Sequence, residues 1–197
     1  MTGVDARQSE FGAGGLSLLF RAVAYATELH RGQTRKGSRN QPYIEHPVEV
    51  AEVLWEIGGV RDLTVITAAI LHDTVEDTEA TLSDLDRRFG PQVRDLVAEL
   101  SDDKRLDKTE RKRLQIETAA RKSPRARLIK LADKIANVRD VGLEPPRNWS
   151  LSRRSEYLNW SESVVAGLRG TSRALEERFD AVLAETRGIL RGEEESG

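Results

Sequence analysis

The chain has 197 residues, with 31 Lys and Arg against 33 Asp and Glu, a net charge of −2 and no cysteine. That length suits one domain with its own buried core, and the lack of cysteine excludes disulfides and thiolate metal sites. No apolar run approaches the roughly 20 residues of a spanning helix, and near-neutral charge without a repeated basic–aromatic pattern argues against a nucleic-acid groove.

Residues 1–15 lack the apolar core of a signal peptide and are expected to be a flexible N-terminus, so the location expected is cytoplasmic, with no membrane partner. Leu16 to His30 reads as a helix with Leu18, Leu19, Ala22, Ala26 and Leu29 near one face and Gly32 as its stop. His30 is taken as a structural residue ending a surface helix. A basic loop follows, and Pro47 then suits the first turn of a helix running to Ile57, which places His46 at about the N-cap. Leu63 to Leu71 carries only Thr64 and Thr67 as polar residues, the pattern of a buried helix. Thr81 to Phe89 and Pro91 to Leu100 make two short helices, and Lys108 to Thr118 a basic one. Ser123-Pro124 caps a helix to about Asp140. Ser150 to Leu168 and Thr171 to Leu190 form a closing hairpin, and residues 191–197 are expected to be a disordered tail. No period-2 strand is found. The expected fold is all-α, a single domain of roughly eight to ten helices over residues 16–190.

The buried helix 63–71 ends in His72, Asp73, Glu76 and Asp77. At helical spacing His72 lies over Glu76 and Asp73 over Asp77, so all four crowd one side. Three carboxylates at the end of a buried segment repel one another and lose hydration unless a cation compensates. A metal ion is the economical explanation, and imidazole with carboxylate suits Mn, Fe, Zn or Co. His46 at a separate helix start and Asp133, flanked by core residues, are candidate further ligands. Between Lys104 and Lys130 stand eleven Lys or Arg and three acids. This run is either a solvated helical face or a collar for a polyanionic small molecule.

The order His46, His72-Asp73, Asp133 resembles the signature of the HD metal phosphohydrolases. Arg35-Lys36, Pro42-Tyr43-Ile44-Glu45-His46-Pro47, Leu71 to Thr78, Phe89-Gly90 and Ile129 to Asn137 resemble the hydrolase domain of the RelA/SpoT homologues. Asp102-Asp103-Lys104, Glu110 to Arg113 and Glu156 to Trp160 are similar to the small alarmone hydrolases of the metazoan SpoT-like type.

The resemblance implies hydrolysis of guanosine tetra- or pentaphosphate, (p)ppGpp, to GDP or GTP and pyrophosphate. His46, His72, Asp73 and Asp133 would hold one Mn²⁺, for which Zn, Fe or Co could substitute. Glu76 and Asp77 would take the proton of the attacking water and orient it. Arg35, Lys36, Tyr43, Lys108, Asn137, Arg153 and Tyr157 would bind the nucleotide. Two departures stand out: Arg39 adds a cation near the expected purine site, and Ala136 replaces a larger residue on an expected pocket wall. With no synthetase segment in residues 1–197, degradation and not synthesis of the alarmone is expected. The rival readings are a phosphatase acting on another nucleotide such as NADPH, and a non-catalytic nucleotide sensor. A homodimer is the one assembly among the expectations.

Overall fold

The computed structural model describes residues 12–37 and 39–196. Among them are ten α-helical segments and no strand, only an isolated bridge between Thr34 and Pro42. The helices are α1 (Gly12–Leu29), α2 (Glu45–Glu52), α3 (Leu63–Leu71), α4 (Thr74–Asp77), α5 (Leu82–Phe89), α6 (Pro91–Leu100), α7 (Lys108–Thr118), α8 (Pro124–Leu143), α9 (Leu151–Ala166) and α10 (Arg173–Ser196). None is long and apolar enough to cross a membrane.

α3 and α8 make the interior. Every residue of α3 from Val65 to Leu71 is buried, and each large aliphatic side chain among them contributes about 1.5–3 kcal/mol by leaving water. The Asp62 carboxylate caps the helix by accepting from the Thr64 amide at 2.9 Å. α8 packs against α10, α2, α9, α3 and α6, so its long apolar seam is covered from several sides. Its start is fixed by the Ser123 hydroxyl, which accepts from the Ala126 amide. Gly142 lets α10 approach closely: a Cβ there would stand 3.0 Å from the Thr186 hydroxyl oxygen.

Boundaries differ from expectation in four places. α1 begins at Gly12, inside the segment expected to be flexible; residues 1–11 lie outside the described residues. His46 is inside the first turn of α2 and not its cap, because the helix begins at Glu45. The second half of the expected helix 47–57 widens into a π-helical turn, Val53–Ile57. α10 continues through Ser196 where a disordered tail was expected. Within that extension the guanidinium of the buried Arg154 donates to both Glu193 carboxylate oxygens, at 2.6 and 3.0 Å.

Candidate metal centre and polyanion cavity

The helix that starts as α3 breaks after Leu71, and His72 and Asp73 form the junction to α4 with backbone angles still close to helical. The Thr74 hydroxyl donates to the Leu71 carbonyl at 2.7 Å, satisfying an acceptor at that break. His72 is buried, and its Nδ1 donates to the Ala69 carbonyl at 2.7 Å. That bond fixes the ring and leaves Nε2 buried, facing carboxylates and without a hydrogen-bond partner among the described residues. This is how a metal-ligating imidazole is normally held.

Around that nitrogen the chain assembles its donors. His46, His72 and Asp133, all buried, offer ligand atoms within 4.8 Å of one another. His46 Nε2 lies 3.2 Å from Asp133 Oδ1. Asp73 stands at the edge of this group, with Oδ1 3.2 Å from His72 Nε2 and Oδ2 3.8 Å from His46 Nε2. The Tyr43 hydroxyl donates to Asp73 Oδ2 at 2.5 Å and reaches Asp77 Oδ2 at 3.5 Å. Asn137 donates to Asp133 Oδ1 at 2.6 Å, and the Lys134 ammonium lies 3.2 Å from Oδ2.

The electrostatics ask for a cation. Burial works to lower the pKa of His72, but the Asp73 and Asp133 carboxylates outweigh it and raise it to about 9. Burial works to raise Asp133, but Lys134 and the two imidazoles hold it well below the ordinary value. Without a metal, the cluster thus takes up a proton to balance its charge. An unpartnered buried imidazole nitrogen beside two carboxylates, with mixed nitrogen and oxygen donors, fits a divalent metal.

Glu76 and Asp77 point to separate partners. Glu76 Oε2 accepts from the Asp102 amide at 3.1 Å, and its Oε1 lies 3.6 Å from Arg111. Burial raises its pKa, with the charges of Asp102, Asp73 and Asp77 adding to the shift. Asp77 Oδ1 accepts from the Lys104 ammonium at 2.6 Å.

Beside His46 opens a cavity of about 770 Å³. All seven residues expected to bind nucleotide line it: Arg35, Lys36, Tyr43, Lys108, Asn137, Arg153 and Tyr157. Arg35 is not free, because it pairs with Asp140 at 2.5 Å. Lys36, Lys108, Arg111 and Arg153 form a like-charged group; partial burial lowers the Lys108 pKa first, and Arg153, Lys36 and Arg111 lower it further. One wall is aromatic, with Trp149, Tyr157 and Trp160 in a row at 5.3 Å between ring centroids.

Two expectations fail here. Ala136 is fully buried and does not line the cavity. Arg39 points out to pair with Glu144 at 2.7 Å, with 70% of its side chain exposed, and is not a cavity residue. Sequence reasoning also missed Arg111, Lys112, Gln115, Trp149 and Trp160. The α7 members were findable: Lys108, Arg111, Lys112 and Gln115 recur at the spacing of one helix face, and that face lines the cavity.

The HD domain family model matches residues 22–158. The human guanosine-3′,5′-bis(diphosphate) 3′-pyrophosphohydrolase MESH1 is 51% identical over 159 residues, covering 81% of this chain and 89% of that protein. The Drosophila melanogaster protein of the same name is 47% identical over 168 residues, covering 85% and 93%. A solved metazoan orthologue of SpoT, described as hydrolysing ppGpp with a role in starvation responses, superposes with a TM-score of 0.84 at 44% identity, over 88% of this chain and 97% of that one. The chain belongs to the HD domain family and, within it, to the group of small SpoT-like hydrolases.

Proposed function

We propose that this protein is a cytoplasmic (p)ppGpp 3′-pyrophosphohydrolase, converting the alarmone and water into GDP or GTP and pyrophosphate. The observation that carries the reading is one juxtaposition. A buried imidazole–carboxylate group suited to a divalent ion stands at the edge of a cavity that is also lined by the like-charged Lys36, Lys108, Arg111 and Arg153. A substrate with two pyrophosphate groups needs both. The names of the relatives above point the same way.

His46, His72, Asp73 and Asp133 would hold the ion, Mn²⁺ on our reading, which supplies Lewis acidity at a phosphoryl oxygen and lowers the pKa of a water. The protein's own groups supply the rest. Glu76, its carboxylate held by the Asp102 amide and Arg111, takes the proton of the attacking water. Its raised pKa brings it closer to the working pH of such a base. Asp77, held by Lys104 and Tyr43, orients that water. The water oxygen bonds to the phosphorus on the 3′ oxygen, the bond between that phosphorus and the 3′ oxygen breaks, and the ribose oxygen takes up a proton. Lys36, Lys108 and Arg153 hold the phosphates, and Tyr157 forms the wall behind the ribose.

Product analysis tests this. Purified protein with ppGpp and Mn²⁺ should yield GDP and pyrophosphate, and Asp73→Ala should lose the reaction. Orthophosphate from NADPH with ppGpp untouched would replace the reading with a nucleotide phosphatase, and binding of ppGpp without turnover would make the protein a sensor.

A further inference from the structure

His30, expected as a structural residue at the end of a surface helix, is only 3% exposed. The chain turns back at Gly32, where φ is 77°, and Gln33 and Tyr43 are joined by the bond from the Tyr43 amide to the Gln33 carbonyl at 3.0 Å. This closes the loop over the imidazole. The ring lies against Tyr43, 4.7 Å between centroids.

The hydrogen bonds fix the direction of every group. The Gln33 amide nitrogen donates to the Asp77 carbonyl at 2.9 Å. A carbonyl can only accept, so the side-chain oxygen of Gln33 must face the other way. That oxygen lies 2.8 Å from His30 Nδ1, which therefore carries the proton. Nε2 is left buried with no hydrogen-bond partner among the described residues. An unsatisfied buried nitrogen is costly, about 1–3 kcal/mol, and a residue serving only to fill space would be better apolar.

We infer that His30 and Gln33 are positioning residues, a hydrogen-bonded chain from the end of α1 that fixes the backbone of Asp77 while the His30 ring backs Tyr43, the residue that holds Asp73. The inference rests on the reading of Asp77 as a water-orienting group. One imidazole thus bears on both residues that Tyr43 bridges, its Nδ1 on the backbone of Asp77 through Gln33 and its ring face on Asp73 through Tyr43. His30 sets the orientation of Gln33, and Gln33 sets the α4 terminus. Neither touches substrate.

The test uses near-isosteric variants and two readouts. Gln33→Glu keeps the shape and the acceptor for His30 but faces the Asp77 carbonyl with a second acceptor. His30→Phe keeps the ring against Tyr43 and removes the donor. Each should lower kcat on ppGpp about 10- to 100-fold, the range for partners one step behind a metal site, with KM changed less than about threefold. His30→Asn, which can still donate to Gln33, should recover part of the loss. Because the two act as one chain, the double variant His30→Phe/Gln33→Glu should lose no more than the worse single one.

Amide hydrogen exchange of residues 74–80 gives the second readout, with no substrate present. It should speed up in Gln33→Glu relative to wild type. Unchanged kcat, losses that multiply in the double variant, or unchanged exchange over residues 74–80 would each overturn the inference. If His30→Phe does not fold, Gln33→Glu decides alone. Should the wild type fail to cleave ppGpp, the functional reading falls, while the exchange result still judges the chain.

Discussion

The candidate metal centre and the cation wall face the same cavity but are built by opposite means. The centre hangs on α3 and α8, which are buried along most of their length, and on the first turn of α2, and three of its four side chains are held by a neighbour: His72 by Ala69, Asp73 by Tyr43, Asp133 by Asn137. The wall stands on α7, which has no buried residue, and on the outer face of α9. Its lysines and arginines are long and repel one another. A metal must meet its ligands within fractions of an ångström, so the centre is preorganised at the expense of burying charge. Phosphates accept cations over a range of positions, so the wall needs only charge in the right region.

The sharpest way to break the comparison is to remove one buried ligand. Asp133→Asn should abolish measurable Mn²⁺ binding in calorimetry and lower kcat by more than about 100-fold, beyond the usual loss for a group behind the metal. A variant that keeps full activity would remove Asp133 from the centre. Binding should also release a proton. His72 is held at about 9 without metal, so below that pH it carries a proton that the ion must displace. Titrations in two buffers of different ionisation enthalpy should differ in apparent heat near pH 7.5 and converge above pH 9 to 10.

The two regions also differ in how far the sequence disclosed them. Three histidines in the chain, one abutting an Asp at the end of an apolar run and another sharing a motif with Pro47, left few choices for candidate ligands. A carboxylate among Leu131, Ala132 and Ile135 could only be buried for a reason. Helix order and the capping signal at Ser123 were equally plain, and the structure shows that cap in place. What failed was long-range. Nothing local says that the loop after Gly32 folds back to bury His30, that Arg35 spends its charge on Asp140, or that Glu193 will pair with Arg154. Pairings across 39 to 105 positions depend on packing and leave no period in the sequence.

The carboxylates proposed to handle the water come next. Glu76→Gln should lower kcat by about 10²- to 10⁴-fold, the usual contribution of a general base, while Mn²⁺ affinity stays within a few fold. A fall in metal affinity as large as that of Asp133→Asn would make Glu76 a ligand and erase the distinction drawn between the groups.

The wall should respond more gently. Lys108→Ala or Lys36→Ala should each raise KM about fivefold, as expected of a partly exposed charge contact of ~1 kcal/mol, with kcat nearly unchanged. The increase should shrink as ionic strength approaches 1 M, where the screening length falls to about 3 Å. A loss of kcat in place of KM would mean that these lysines act at the reacting phosphate and that the wall is as preorganised as the centre.

The smallest effect runs against the others in sign. Burial raises the Glu76 pKa above its ordinary 4.5, with nearby carboxylates adding to it, so the folded state holds the proton more tightly than the unfolded one. Below pH 4.5 the group is protonated in both states and contributes no difference. As pH rises from there through the raised folded value, the unfolded state ionises first and the folded state loses relative stability. Glu76→Gln removes that penalty. Metal-free Glu76→Gln protein should therefore melt above wild type at pH 7.5, and the gain should fade as the pH drops towards 4.5. A gain that persists at low pH would point to packing and not to ionisation. If it follows the expected course, the residue whose loss most impairs proton transfer is one whose presence weakens the fold, as expected where a site keeps a charge for chemistry that the interior disfavours.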